Sequence, residues 1–351
     1  MADEMRIGKR AVGTSYAPFV IAEMSGNHNQ SLQRAFSIVD AAAEAGAHAI
    51  KLQTYTADTI TLDVDREEFR ITDEKNLWKG ENLFGLYGKA YTPWDWHGEI
   101  IKRANQHGME CFSSPFDESA VDFLESLNVA AYKIASFENN HLPLIRKAAA
   151  TGKPLIVSTG MASTAELDEA VRTARAAGCS QLVLLKCTST YPASPRNTNV
   201  LTIPHMRVLF DCEVGLSDHT MGIGAAVAAV AHGATVIEKH FTLARADGGV
   251  DSAFSLEPAE LKMLVTETHR AWESLGAVTY GPTEDEKRSL MFRRSLYVAH
   301  DMRAGEVFTA DNLRIVRPGN GLHPRFYEQF LGRRVSRDVS KGTPVDWQLL
   351  G

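Results

Sequence analysis

Between residues 18 and 275 the chain repeats one alternation: a short apolar or β-branched run, then an amphipathic segment opened by Ser, Thr, Asp or Gly. The runs are PFVIAEM (18–24), HAIKLQT (48–54), MECFSS (109–114), AAYKIAS (130–136), PLIVST (154–159), LVLLKCT (182–188), CEVGLS (212–217) and TVIEKHF (235–241). Strands covered on both faces read as near-continuous apolar runs, and each parallel strand needs a crossover before the next. Eight such units over about 250 residues predict a closed (β/α)8 TIM barrel. An open doubly wound sheet would carry a glycine-rich first turn, and EMSGNHNQS is not GxGxxG. The spacing of Ser163 and Glu166 predicts a capping box, with Gly178 closing the same helix.

Two segments break the period. Residues 55–94 are too long for an ordinary connection and predict a lid or extra hairpin over the C-terminal mouth, with Pro93 starting the next helix. After residue 278 a charged stretch with a Gly-Pro step reads as a linker (279–290). Residues 291–351, with short β runs broken by DMRAGE, RPGNG and VSKGT, read as a small second domain near the lower size limit for independent stability. Cys111, Cys179, Cys187 and Cys212 show no CxxC spacing, so free thiols are expected. The 37 basic and 43 acidic residues form no long basic run, which disfavours nucleic acid as a partner. No apolar stretch has the length of a membrane span and no secretory signal is evident, so a cytoplasmic protein is expected.

In a barrel of this kind the active site lies at the C-terminal strand ends. Those ends carry Glu23, Lys51 and Gln53, Ser113 and Ser114, Lys133, Ser136 and Glu138, Ser158, Lys186, Ser217 to His219, and Glu238 to His240. Strands seven and eight are neighbours in a closed barrel, so His219 and His240 could share one divalent ion whose other positions stay open to water and substrate. The alternative is a helix-capping His219 and a hydrogen-bonded core His240. Lys51 and Lys133, with nearby serines and Ser158-Thr159-Gly160 leading into a helix, suit a multiply charged small anion. Alternatively each lysine pairs with Glu23, Glu138 or Glu238 as architecture, or one forms a Schiff base. Glu23 and Glu138 are acid, base or hydroxyl-binding candidates, and Asp251 either orients a ligand or closes a turn.

As a set, IAEMSGNHN, IKLQT, SSPFD, YKIAS, STGM, KCTSTYP, GLSDHT, EKHFT and RPGNG resemble the sialic acid synthase family over nearly the whole chain. That resemblance implies a transferase that condenses phosphoenolpyruvate with an N-acylated amino-sugar aldehyde, followed by a C-terminal antifreeze-like (SAF) domain that caps the partner's barrel in a domain-swapped homodimer. It implies metal ligation by His219 and His240, with Mn²⁺ ahead of Mg²⁺ or Co²⁺. It implies phosphoenolpyruvate binding by Lys51, Ser114, Lys133, Ser136, Ser158, Ser189 and Ser217. Gln53, Tyr191 and Arg317 would meet the sugar, and Glu23, Glu138 and Asp251 would be catalytic. N-acetylneuraminate synthases tend to read HCTNIYP where this chain has KCTSTYP. With LYGKAYTPWDWH, that makes the chain resemble the pseudaminic acid synthase branch, whose sugar is 2,4-diacetamido-2,4,6-trideoxy-L-altrose. N-acetylneuraminate and legionaminate synthesis stay open as alternatives, as do a Schiff-base aldolase and a sugar-binding protein without turnover.

Overall fold

Eight parallel strands close on themselves in the computed structural model of the chain, which describes residues 4–73 and 77–351. They are β1 (Phe19–Glu23), β2 (Ala49–Thr54), β3 (Glu110–Pro115), β4 (Tyr132–Ile134), β5 (Leu155–Ser158), β6 (Leu182–Cys187), β7 (Glu213–Asp218) and β8 (Val236–His240). Each pairs with its successor and β8 returns to β1, giving the TIM barrel that the alternation predicts. Helices follow the strands in turn: α1 (Leu32–Glu44), α2 (His97–Gln106), α3 (Glu118–Ser126), α4 (Leu142–Ala149), α5 (Thr164–Ala176), α6 (Thr202–Phe210), α7 (Gly224–Ala231) and α8 (Pro258–Leu275). The α5 capping box forms as expected: Ser163 Oγ accepts from the Glu166 amide, and Glu166 accepts in return from the Ser163 amide. Gly178 adopts φ +101° just past its end, the left-handed conformation that glycine accepts without a Cβ penalty.

The core lies between sheet and helices, where Ile38, Ile100, Leu124, Ile145 and Leu264 meet the outward strand residues. Side chains alternate across each strand, so the register decides what enters the barrel. Glu23 is paired with Lys51 and His240, Gln53 with Ser114, and Ser217 with Glu238. Gly215, opposite Val236, permits a close approach at this closure, because a Cβ there would lie 2.1 Å from the Val236 carbonyl oxygen.

The excursion between β2 and α2 holds two short helices (Ala57–Ile60 and Leu83–Ala90) and a 3-10 turn at Glu67–Phe69. Arg70 bridges Asn82 in antiparallel fashion, so a small hairpin forms part of it; residues 74–76 of the expected lid lie outside the described residues. Pro93 precedes a 3-10 turn (Trp94–Trp96) that runs into α2. Contacts divide the chain after Gly276. In the C-terminal unit, a 3-10 helix at Asp285–Phe292 occupies much of the stretch read as a linker, and β9 (Ser295–Val298) pairs antiparallel with β10 (Leu313–Val316). Its core is small, built on Leu296, Val298, Phe308, Leu313, Phe330 and Leu349. Among the described residues no helix is long and apolar enough to cross a membrane.

Candidate active site

Four ionisable side chains meet at the centre of the mouth, and none is more than 3% exposed: Glu23, Lys51, Lys133 and Glu238. Lys51 Nζ lies 2.6 Å from Glu23 Oε2 and 3.8 Å from Glu238 Oε2, while Lys133 Nζ lies 3.1 Å from Glu238 Oε1. Lys51 also donates to Ser114 Oγ at 3.2 Å, Ser217 Oγ donates to Glu238 at 3.1 Å, and Gln53 Nε2 donates to Glu23 at 3.0 Å. The sequence reading held Glu238 only as a pairing alternative; the structure puts it between both lysines, whereas Glu138 forms no ion pair with either among the described residues. Burial opposes the charge of Glu238, but Lys133 and Lys51 outweigh it and hold the carboxyl down to about 2. Burial, with the Glu238 charge, pushes Glu23 up despite Lys51. Ions this deep cost several kcal/mol each to desolvate (about that order) and are weak sources of stability even when paired.

Beside the lysines stands a row of hydroxyls. Ser189 Oγ donates to Ser136 Oγ at 2.7 Å. Gly160, at φ +50°, lets the β5–α5 turn press against this pair, since a Cβ would sit 2.7 Å from Ser136 Cβ. Asn139 Nδ2 donates to the Ser158 and Thr159 carbonyls at 3.2 and 2.8 Å and so fixes the tip of β5. Buried Ser158 Oγ and Glu138 Oε2 find no hydrogen-bond partner among the described residues. Buried polar atoms are rarely left unmatched without a reason; the Ser158 hydroxyl can donate to an anion, whereas the Glu138 carboxylate is an acceptor that calls for a donor. Burial pushes Glu138 up to about 7 against the pull of Lys133.

The imidazoles of His219 and His240 lie on the opposite side, their ring centroids 5.3 Å apart. His219 Nδ1 lies 3.0 Å from the Thr188 carbonyl, so Nδ1 carries a proton and Nε2 is the nitrogen that a ligand would take. His240 is driven well below its ordinary pKa by burial, His219 and the lysines, so its ring is neutral. Its Nδ1 is buried without a hydrogen-bond partner, 3.6 Å from Asp251 Oδ2, which itself accepts from Ser25 Oγ. Burial works against charge on His219, but bonding to the Cys187 thiol carries its pKa upward, and burial of Cys187 is likewise outweighed by His219, bringing the thiol to about 7. A cation at His219 would therefore replace a proton. Among the described residues no three His, Cys, Asp or Glu side chains are grouped to hold a metal by themselves. The two imidazoles with an orphaned nitrogen fit a divalent ion that completes its shell from water and substrate.

Aromatic rings roof this side. Tyr191 lies 4.5 Å from His219, Phe254 lies 4.9 Å from His240, and Trp78 of the excursion lies 6.1 Å from Tyr191 with its indole donating to the Val250 carbonyl. Glu23, Lys51, Gln53, Ser114, Lys133, Ser217 and Glu238 thus meet in one network at the strand ends, whereas Asp218 pairs with Lys239 and Ser113 with Thr54 away from it, and Arg317 belongs to the C-terminal unit, exposed just past β10. Sequence reasoning passed over Asn139 and Cys187, which are spaced like ordinary loop and core residues; their signal is the strand tip that each adjoins.

The NeuB family model matches residues 38–280, and the SAF domain model matches residues 293–351. The chain is 44% identical over 338 residues to the pseudaminic acid synthase of Campylobacter jejuni subsp. jejuni, covering 96% of this chain and 97% of that one. It is 41% identical to the pseudaminic acid synthase of Helicobacter pylori (93% and 96% covered) and 36% identical to the N,N'-diacetyllegionaminic acid synthase of Legionella pneumophila (97% of each). Among solved structures, the N-acetylneuraminic acid synthetase of Leptospira borgpetersenii in complex with citrate superimposes with a TM-score of 0.72 at 32% identity, covering 83% of this chain and 96% of that one. On these matches the chain belongs to the NeuB family, with a SAF domain at its C-terminal end.

Proposed function

We propose that the chain condenses phosphoenolpyruvate with 2,4-diacetamido-2,4,6-trideoxy-L-altrose and water to give pseudaminic acid and phosphate. The observation that carries this reading is one set of strand ends that brings together two buried lysines, the unmatched Ser158 hydroxyl and two imidazoles whose ring centroids lie 5.3 Å apart. Its likeness to pseudaminic acid synthases across nearly the full chain supports the choice of sugar.

Lys51 and Lys133 balance the negative charge of phosphoenolpyruvate, and Ser136, Ser158 and Ser189 donate hydrogen bonds to its oxygens, turning C3 toward the aldehyde carbon. A divalent ion held by His219 and His240, Mn²⁺ by preference, would supply Lewis-acid polarisation of the aldehyde oxygen. Tyr191, Gln53 and Asp251 border the volume left for the sugar. As the C3 bond forms, C2 becomes cationic; a water oxygen adds to C2 and gives its proton to the Glu138 carboxylate. The bond from C2 to the bridging oxygen then breaks, that oxygen leaves with phosphate, and C2 becomes a ketone. Glu138 returns its proton to the aldehyde oxygen, which ends as a hydroxyl, and the second proton of the added water leaves with phosphate. We further propose a domain-swapped homodimer in which Arg317 reaches the sugar's acyl group in the partner's barrel, its guanidinium offering a planar fork of donors, and a cytoplasmic site of action.

The test is mass spectrometry of products from a panel of amino sugars with phosphoenolpyruvate labelled by ¹⁸O at the bridging oxygen. The expected result is a nonulosonic acid from the altrose derivative, the label in phosphate, and loss of turnover on chelation with recovery on adding Mn²⁺. Label retained in the sugar acid, or preferred use of N-acetylmannosamine, overturns the reading. A borohydride-stable pyruvate adduct on lysine would support the aldolase alternative instead.

A further inference from the structure

Lys239 stands between Glu238 and His240 on β8, and because those two face the mouth, strand alternation turns it outward, between sheet and helices. It is only 1% exposed there. Its ammonium donates to Asp218 Oδ2 at 2.6 Å and to the Thr220 carbonyl, and Asp218 Oδ1 accepts from the Thr220 amide at 2.9 Å. The residue enclosed by these bonds is His219. Its carbonyl accepts from the Ala193 amide at 2.9 Å, and its Nδ1 meets the Thr188 carbonyl at 3.0 Å, so backbone and ring are both tethered. A buried lysine–aspartate pair adds little stability over apolar residues of the same volume. What distinguishes this pair is its placement: it starts one residue before His240 and closes on both neighbours of His219.

We propose that Lys239 is a positioning residue which, through Asp218 and Thr220, sets the separation and heading of the His219 and His240 imidazoles and thereby the affinity for the divalent ion. The inference rests on the reading of those two rings as its ligands. Neither Lys239 nor Asp218 touches the reacting atoms; they act on the ring that does. Partners that orient a metal-bound histidine are worth about 10- to 100-fold in metal affinity.

The experiment is Mn²⁺ titration of the full chain without substrates, followed by electron paramagnetic resonance of the free ion, with thermal unfolding of the same samples. The main variant is Lys239→Met with Asp218→Asn, which removes both charges together and keeps an oxygen for the Thr220 amide. It is expected to unfold within a few degrees of the parent, to bind Mn²⁺ at least about tenfold more weakly, and to keep its KM for phosphoenolpyruvate within about twofold. Lys239→Leu with Asp218→Asn, which again leaves no buried charge unpaired, is the second variant should the first not fold, and it too is expected to weaken Mn²⁺ binding several-fold. A folded variant that binds Mn²⁺ as the parent does overturns the positioning role and leaves the ligand assignment standing. A parent chain that takes up no Mn²⁺ overturns the ligand assignment and the positioning role with it.

Discussion

Glu138 presents one carboxylate oxygen to the mouth with no hydrogen-bond partner among the described residues, and burial raises its pKa to about 7. An unfolded glutamate titrates near 4.3 (about that value in model peptides). Between these two values the folded chain holds a proton that the unfolded chain has released, so stability declines as pH rises toward 7, and the full cost is present above it. Glu138→Gln removes the ionisation and should gain up to about 3 kcal/mol over the parent at pH 8, with no gain near pH 4. Urea unfolding at the two pH values reads this difference, and equal gains at both would contradict it. The parent's turnover should rise with pH through about 7 as the base ionises, and the glutamine variant should be slow throughout. Lys133→Ala leaves Glu238 with Lys51 alone; steady-state kinetics should show KM for phosphoenolpyruvate raised at least about tenfold and kcat reduced. That these positions gather charge at the strand ends was legible because a charged residue at the end of an apolar strand is conspicuous. The Glu238 bridge was not, because which carboxylate meets which ammonium depends on barrel closure and register, and neither is written in one strand's sequence.

At the scale of elements, the tip of β5 and the turn into α5 place the hydroxyl row. Gly160 is the tight point, at φ +50° and packed onto Ser136. Gly160→Ala should push Ser136 away from Ser189, lower the unfolding temperature by a few degrees, and weaken phosphoenolpyruvate about tenfold. The matched control is Gly152→Ala, at φ +75° with nothing within 4 Å of its Cβ. It carries the backbone strain alone, so calorimetry should show a similar backbone cost while KM stays put; equal KM shifts in both variants would detach the turn from substrate binding. The strands and the α5 cap could be read beforehand because period and capping are local properties. The excursion before α2 was legible as an interruption with an extra hairpin as one reading, but its short helices were not, since its aromatic rings are ordered by contacts such as Trp78 to Val250 and Tyr55 to Phe116 that join distant parts of the sequence.

For the molecule as a whole, the assignment of Arg317 to a partner's barrel makes a quantitative demand on mixed assemblies. On the proposed roles, His219→Ala should inactivate the barrel of the chain that carries it, and Arg317→Ala the barrel that its C-terminal domain serves. If each domain caps the partner's barrel, a mixed dimer of the two variants contains one site with both defects and one with neither. Random reassortment makes about half of the dimers mixed, so the mixture should recover about a quarter of parental turnover although each variant alone is inactive. If Arg317 served its own barrel, every site in the mixed dimer would carry one defect and nothing would return. Co-expression of the two chains under different affinity tags, with purification through both, isolates the mixed dimer and raises the expected recovery to about half of the parent. Turnover at background level in that doubly purified dimer, with both chains folded, would place Arg317 outside the shared site and return the C-terminal unit to a role within its own chain.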